Sequence, residues 1–323
     1  MRFLLDAEQR EFTRSLDAML TAAGPPEVAR SWGRGESARG RALWSRIARA
    51  GVFALAVPQE YAGLGPHPVE LALAFVELGR HAVPGPLVET VAVAVLLGGS
   101  ERPDPAKRFL PSLADGTLTA TLSAGPDGCA LDGDTADLLF ALGPDGLRLA
   151  PGHGPVRPSL DPVRRLTPLL PGGELLDPRP PWARALLWAR LATAAQALGV
   201  GLALLERTVA HVGRRVQFGV PVGSFQAVKH RLADARIALE FARPLVLGAA
   251  VTMDPADVAA AKVGACEAAY ATARTALQLH GAIGYTAEFD LSLWLAKARV
   301  LLAAWGGPQE CRDVVLSGGG RPR

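Results

Sequence analysis

From Trp188 to Val212 the chain reads W-A-R-L-A-T-A-A-Q-A-L-G-V-G-L-A-L-L-E-R-T-V-A-H-V. Within it Trp188, Leu191, Ala195, Leu198, Leu202, Leu205, Val209 and Val212 follow at intervals of 3, 4, 3, 4, 3, 4 and 3. That rhythm lays one apolar stripe along about seven helical turns, roughly 36 Å. After a turn at Gly219-Val220-Pro221 the rhythm returns in Phe225, Val228, Leu232, Ala235, Leu239, Ala242 and Val246. Pro244 should kink that helix one turn after Glu240. Asp254 then reads as an N-cap with Pro255 in the first helical position. Val258, Ala261, Ala265, Ala268, Thr272, Thr275 and Leu279 carry the third stripe, and Leu291, Trp294, Ala298, Leu301 and Trp305 a fourth. Four amphipathic helices with short connections predict an antiparallel bundle over residues 182–323.

Upstream the pattern breaks. Nine prolines fall between Pro151 and Pro181, which excludes a long helix there. Residues 117–149 hold short apolar runs cut by Gly, Pro and Asp, read as strands and turns, with a disordered linker as the alternative. Residues 117–181 are thus expected to be a reduced, Pro-rich β domain. Residues 1–116 are expected to be a helical domain, with helices over 7–21, 38–50, 68–81, 86–97 and 105–114. The fold class expected is mainly α, with a small β middle domain before the bundle.

Composition narrows the partners. The 323 residues carry a formal charge of only +3, and no basic run with interleaved aromatics appears, so nucleic acid is not expected. Cys129, Cys266 and Cys311 lie far apart, without metal-ligand spacing to the six histidines, which suggests a reduced compartment and no metal. Phe3-Leu4-Leu5 is cut by Asp6, so no signal peptide is read. The longest uncharged apolar stretch, from Leu191 to Leu205, has 15 residues against about 20 for a membrane span. A cytoplasmic protein without a membrane partner is the expectation.

Three motifs in order carry a family resemblance. Trp44 to Gly65 reads W-S-R-I-A-R-A-G-V-F-A-L-A-V-P-Q-E-Y-A-G-L-G and resembles the acyl-CoA dehydrogenase N-terminal helix with its V-P-E-x-Y-G-G-x-G loop. Arg215-Val216-Gln217-Phe218-Gly219, Phe225-Gln226 and Leu232-Ala233-Asp234 resemble the family's R-x-Q-F-G…F-Q…L-A-D block. Gln278 to Tyr285 resembles its Q-x-x-G-G-x-G-Y signature. On residues alone, Gly281 to Gly284 reads either as an ordinary inter-helix turn or as an open backbone that a phosphate approaches. Arg215 reads as a solvated helix-end charge or as a pyrophosphate fork. The resemblance implies the second of each pair. Arg215, Phe218, Gln226, Gln278, His280, Gly281, Ala282 and Gly284 would then contact the adenine and pyrophosphate half of FAD held by a neighbouring subunit. Ala282 stands where the pattern has its second glycine, tolerable only if that position does not need a positive φ. Arg190 lies 25 residues before Arg215, matching a family arginine that contacts acyl-CoA, although its usual acidic partner is Leu187 here.

Two departures shape the functional expectation. The family's base is a carboxylate in a dry pocket that takes the α-proton of the thioester while hydride leaves the β-carbon. Its Y-E-G-T loop reads Trp305-Gly306-Gly307-Pro308 here, with Gly306 in the glutamate's place, and Ala189 occupies the alternative base position. Glu310, Asp313, Glu288 and Asp290 read as solvated or capping charges, and a carboxylate one helical turn away would sit roughly 5 Å from its required place. The middle segment is also short. Thr121 to Gly128 is a poor remnant of the T-E-P-x-x-G-S-D loop, and W-I-T has no counterpart. The chain therefore resembles the non-catalytic subunit of a heteromeric α2β2 acyl-CoA dehydrogenase of bacterial steroid degradation. That resemblance implies shared FAD, a catalytic partner subunit and an acyl-CoA substrate. The alternatives are a self-sufficient flavin enzyme with a relocated base, or a non-enzymatic scaffold or acyl-CoA binder.

Overall fold

A computed structural model describes residues 4–124 and 128–318. The chain divides into two compact units, one of residues 1–13, 72–82 and 190–323, the other of residues 14–71 and 83–189. Helices α1 (Ala7–Thr21), α2 (Pro25–Gly33), α3 (Ala38–Arg49), α4 (Pro68–Arg80), α5 (Leu87–Gly98) and α6 (Pro103–Ala114) precede the strands. Sequence periodicity missed α2. It opens on Pro25 and Pro26, since proline is tolerated in a first turn, and Gly24 at φ 64 supplies the entry.

In the second unit Trp44 of α3 stacks on Phe53 at 4.2 Å, and Phe109 of α6 meets Phe140 edge-on at 5.7 Å. The loop after Phe53 needs small residues. A Cβ on Gly63 would stand 1.9 Å from the Val57 carbonyl, and Ala62 sits at φ 64, where the family pattern has glycine.

The middle segment is ordered β structure rather than a linker. Strands β1 (Ala120–Ala124), β2 (Cys129–Leu131), β3 (Leu138–Gly143), β4 (Gly146–Leu149), β5 (Leu166–Pro168) and β6 (Glu174–Asp177) follow in sequence. They form a four-stranded sheet in the order β1-β3-β4-β6 and a two-stranded sheet β2-β5. β1 and β3 are parallel, and β3 and β4 form a tight hairpin closed by the Gly143–Gly146 pair. Arg41 of α3 grips both oxygens of Asp137 at 3.1 and 3.0 Å. Asp137 in turn accepts from the N–H and hydroxyl of Thr119, both at 2.8 Å, fixing the entry to β1 and β3. Among the described residues no helix lies between 151 and 181, as the prolines required. Gly125, Pro126 and Asp127 of the loop remnant lie outside the described residues.

The stripe from Trp188 to Val212 belongs to α7 (Trp182–Arg214), 33 residues long. By length and composition α7 could cross a membrane, yet 89% of its most apolar stretch is buried in the protein, as in a core helix. Within the first unit its backbone approaches neighbours closely. A Cβ on Gly199 would stand 1.9 Å from the Val76 carbonyl of α4, and one on Gly201 would meet Ala269 at 3.2 Å. A hairpin, β7 (Val216–Gln217) and β8 (Val220–Pro221), leads to α8 (Gln226–Thr252), which continues through Pro244. Asp254 caps α9 (Pro255–His280), accepting from the N–H groups of Ala256 at 3.0 Å and Asp257 at 3.3 Å. α10 (Leu291–Leu301) ends before Trp305, whose φ of 59 breaks the fourth stripe, and α11 (Pro308–Leu316) follows. Pro308, the last residue of the loop that resembles Y-E-G-T, is the first residue of α11, a helix that the sequence did not disclose.

Candidate functional site

The first cluster begins where α7 ends. The Arg215 carbonyl accepts from the Val222 N–H at 2.8 Å, closing the base of the β7–β8 hairpin. Phe218 and Gly219 form its two-residue turn with φ values of 54 and 79, the left-handed pair that matches strand twist. Phe218 bears this conformation without glycine's freedom, and its ring is 93% exposed, edge-on to Phe225 at 6.2 Å. Gln226 opens α8 and is also exposed.

The second cluster lies at the end of α9. Gly281 stops the helix at φ 66, ψ −143, a region open essentially to glycine. Its N–H closes onto the Leu277 carbonyl, so at this residue the turn offers open space rather than a free donor. A 3-10 segment, Gly281–Tyr285, continues from it. Positive φ falls on Gly281 and not on Ala282, which explains why a methyl is accommodated there. Gly284 is buried, and a Cβ on it would press on His280 and Leu277 at 3.2 Å.

Two cavities flank this turn. A groove of about 640 Å³ is bordered by Arg231, Arg274, Gln278, Gly281, Ala282 and Tyr285. Among the described residues neither Arg231 nor Arg274 has a carboxylate partner. Both arginines went unnoticed in the sequence, because they lie between motif letters. The usable signal was position: Arg274 is one turn before Gln278 on α9, hence on the same face.

The other cavity, about 600 Å³, takes in Arg207, His211, Arg214, Arg215 and His280 with the acidic Glu288 and Asp290 opposite. The rings of His211 and His280 stack at 4.1 Å. The Nδ1–H of His280 donates to the Ala276 carbonyl at 2.8 Å. Burial holds both imidazoles below their ordinary pKa, and for His211 the neighbouring His280, Arg215 and Arg214 add to it. Arg207 lies 3.8 Å over the Trp294 ring. The structure thus joins Arg215 and His280 in one cavity and Gln278, Gly281 and Ala282 in the other. Phe218 and Gln226 border neither.

The third cluster surrounds Gly306. Arg190 is 7% exposed; its Nε donates to the Trp305 carbonyl at 3.0 Å and its Nη2 is ion-paired with Glu310. Gly306 has φ 116, and a Cβ built on it would stand 2.8 Å from Nη2 and 3.2 Å from Nε of Arg190. The Glu310 carboxylate lies 3.3 Å from the same point, closer than helical spacing suggested, because the 305–307 turn folds Glu310 back over it. Beneath the turn, Lys262 is 1% exposed and its Nζ donates to the carbonyls of Leu301, Leu302 and Gly306 at 3.1, 3.3 and 3.2 Å. Burial pushes the Cys266 and Cys311 thiols up, keeping them protonated beside the Leu301 and Gly306 carbonyls. Ala189 is fully buried and carries no polar atom on its side chain. Asp313 accepts from Gln309 at 3.0 Å on the surface of α11.

Known proteins match this architecture over its length. Residues 6–117 match the acyl-CoA dehydrogenase N-terminal domain, and residues 182–315 the acyl-CoA dehydrogenase C-terminal domain. The chain is 33% identical over 310 residues to acyl-CoA dehydrogenase IpdE2 of Mycolicibacterium smegmatis, covering 94% of this chain and 96% of that one. The short middle segment is therefore compatible with a relative of nearly the same length. The solved Tcur3481-Tcur3483 steroid ACAD G363A variant superposes with a TM-score of 0.81 at 26% identity, over 97% of this chain and 99% of that one. In the ChsE4-ChsE5 complex from Mycobacterium tuberculosis a chain of the same fold superposes at 0.85 with 24% identity, each chain fully covered. With helices, small sheet and three motifs in matching order, the chain belongs to the acyl-CoA dehydrogenase family.

Proposed function

We propose that this chain is the non-catalytic subunit of a heteromeric acyl-CoA dehydrogenase and lends FAD contacts to a catalytic partner. The observation that carries the reading is the contrast between a Gly306 turn without a usable base and an open arginine groove beside Gly281. FAD, the family's cofactor, accepts the β-hydride of the acyl thioester when bound. The groove fits its phosphate-bearing half. Gly281 has nothing within 4 Å of a built Cβ, and Arg231 and Arg274, without a carboxylate partner among the described residues, offer planar forks for an anion. Gln278 borders the same groove, and Arg215 borders the cavity that His280 lines.

The acid–base half of the reaction has no group here to run it. Glu310 is the carboxylate beside Gly306, and it is ion-paired with Arg190. The partner supplies the base and the remainder of the flavin site. A partner-facing surface is also present: Ile237, Phe241 and Leu245 repeat at i, i+4 and i+8 along α8, and Phe241 is 72% exposed. The likeness to a steroid ACAD named for two proteins supports a heteromer that acts on a steroid-derived acyl-CoA.

Co-expression with a homologue that keeps Glu-Gly-Thr tests this. The expected product is a complex with one FAD per heterodimer, and this chain alone is colourless. A chain that is yellow alone and whose flavin bleaches on adding an acyl-CoA overturns the reading.

A further inference from the structure

The missing glutamate leaves a question of volume: what fills its place? Around Gly306 the answer is protein. Three independent restraints converge on the turn from Trp305 to Gly307. Arg190 donates to the Trp305 carbonyl and pairs with Glu310. Lys262 donates to the Gly306 carbonyl while also closing the last carbonyls of α10. The turn itself takes left-handed φ values, 59 at Trp305 and 116 at Gly306. Burying two cations is costly unless their donors are satisfied. Lys262 is satisfied by two carbonyls at the negative end of α10, where a cation is favoured, and by the Gly306 carbonyl of the turn. Arg190 is satisfied by a carbonyl and a carboxylate.

We propose that Arg190, seated by Glu310 and by the turn that Lys262 holds, is a plug that closes the thioester site of this subunit. It is then a positioning residue for the 305–307 turn and not a ligand of acyl-CoA. The proposal rests on the reading that Gly306 stands at the base position, and it goes further. The site is filled and not merely emptied, so restoring a carboxylate at 306 does not restore a base. A side chain there projects into the guanidinium from a backbone conformation that resists any Cβ.

A double-mutant cycle on the co-expressed complex tests this by thermal melting. Gly306→Ala is expected to lower Tm by about 6 °C, from backbone strain plus the clash with Arg190. In an Arg190→Ala background the same change should cost about 3 °C, because only the strain remains. Equal costs in both backgrounds overturn the plug. Gly306→Glu is expected to add no acyl-CoA turnover to the complex, and a gain overturns the proposal. If Arg190→Ala does not fold, Glu310→Gln keeps the volume while weakening the pair. It should lower Tm and leave kcat and the acyl-CoA KM unchanged; loss of turnover would make Glu310 a base and overturn the plug. FAD stoichiometry, read on the same samples, keeps the two readings apart. Failure of the cycle with one FAD per heterodimer removes only the plug, whereas FAD bound by this chain alone removes the subunit role.

Discussion

Gly281, at the end of α9, and Gly306, in the turn between α10 and α11, both have a positive φ, and their surroundings are opposite. Around Gly281 a built Cβ meets nothing within 4 Å, and among the described residues Arg231 and Arg274 nearby have no carboxylate partner. Around Gly306 the same atom meets a guanidinium at 2.8 Å, and the arginine there is fully engaged. One glycine borders an open groove, while the other lies where the protein closes on itself. The same residue type thus serves an open site and a sealed one, and the difference lies in whether the neighbouring cations are spent.

That contrast can be broken by experiment. The largest effect is expected from reversing the open groove's charge. Arg231→Glu with Arg274→Glu should weaken FAD retention by the complex at least tenfold, since charged hydrogen bonds are worth about 1.5–3 kcal/mol each. Ultrafiltration of the purified complex reads this, with gel filtration to show that assembly survives. Unchanged retention would remove both arginines from the cofactor site.

Next in size is the paired glycine comparison. Gly281→Ala should lower Tm by about 3 °C through strain alone, roughly half the loss at Gly306. Equal losses would erase the distinction between open and sealed.

The histidine stack gives a pH signature. Both imidazoles have folded-state values below the ordinary 6.5, so their unfolded forms take up protons first. Stability is therefore complete above pH 6.5 and falls as the pH drops towards the depressed values. His211→Phe, which keeps a ring against His280, should flatten the loss in urea midpoint between pH 7.5 and 5.5. A variant as acid-sensitive as the wild type would show that the stack does not titrate with unfolding. Arg215 and Arg214 oppose the charging of His211, and Arg207, Glu288 and Asp290 border the same cavity.

The smallest effect is expected at a third left-handed turn. Ala62→Gly should raise Tm by about 1–2 °C, because relief of φ 64 slightly exceeds the entropy that glycine loses. A drop in Tm would mean that the alanine methyl is worth more than the strain.

Much of this was legible in the chain. The stripe of α7, the Asp254 cap and the prolines of residues 151–181 act locally, through helical period, a hydrogen bond and a missing N–H, so sequence alone displays them. Residues 216–221 looked like a plain turn because two-residue strands leave no periodicity. α2 and α11 were hidden by prolines that begin helices as readily as they end them. The site divided in the same way. Motif letters located Gly281 and Gly306, but neither the freedom of Arg231 and Arg274 nor the capture of Arg190 has a local signature. Both depend on which side chains arrive from elsewhere in the chain, as when Glu310 meets Arg190 beside Gly306.

Lys262 gives the sealed turn a longer reach. Its ammonium joins α9 to the end of α10 through three carbonyls, so the turn's shape is written into the bundle rather than into the loop. A lineage that lost a glutamate at one position could regain it by one substitution, so long as nothing else had moved. Here the way back requires coordinated changes at 190, 306 and 310 against a buried cation that holds the old path closed. On the subunit role proposed above, reliance on a partner is a property of the packing around the 305–307 turn and not of one residue.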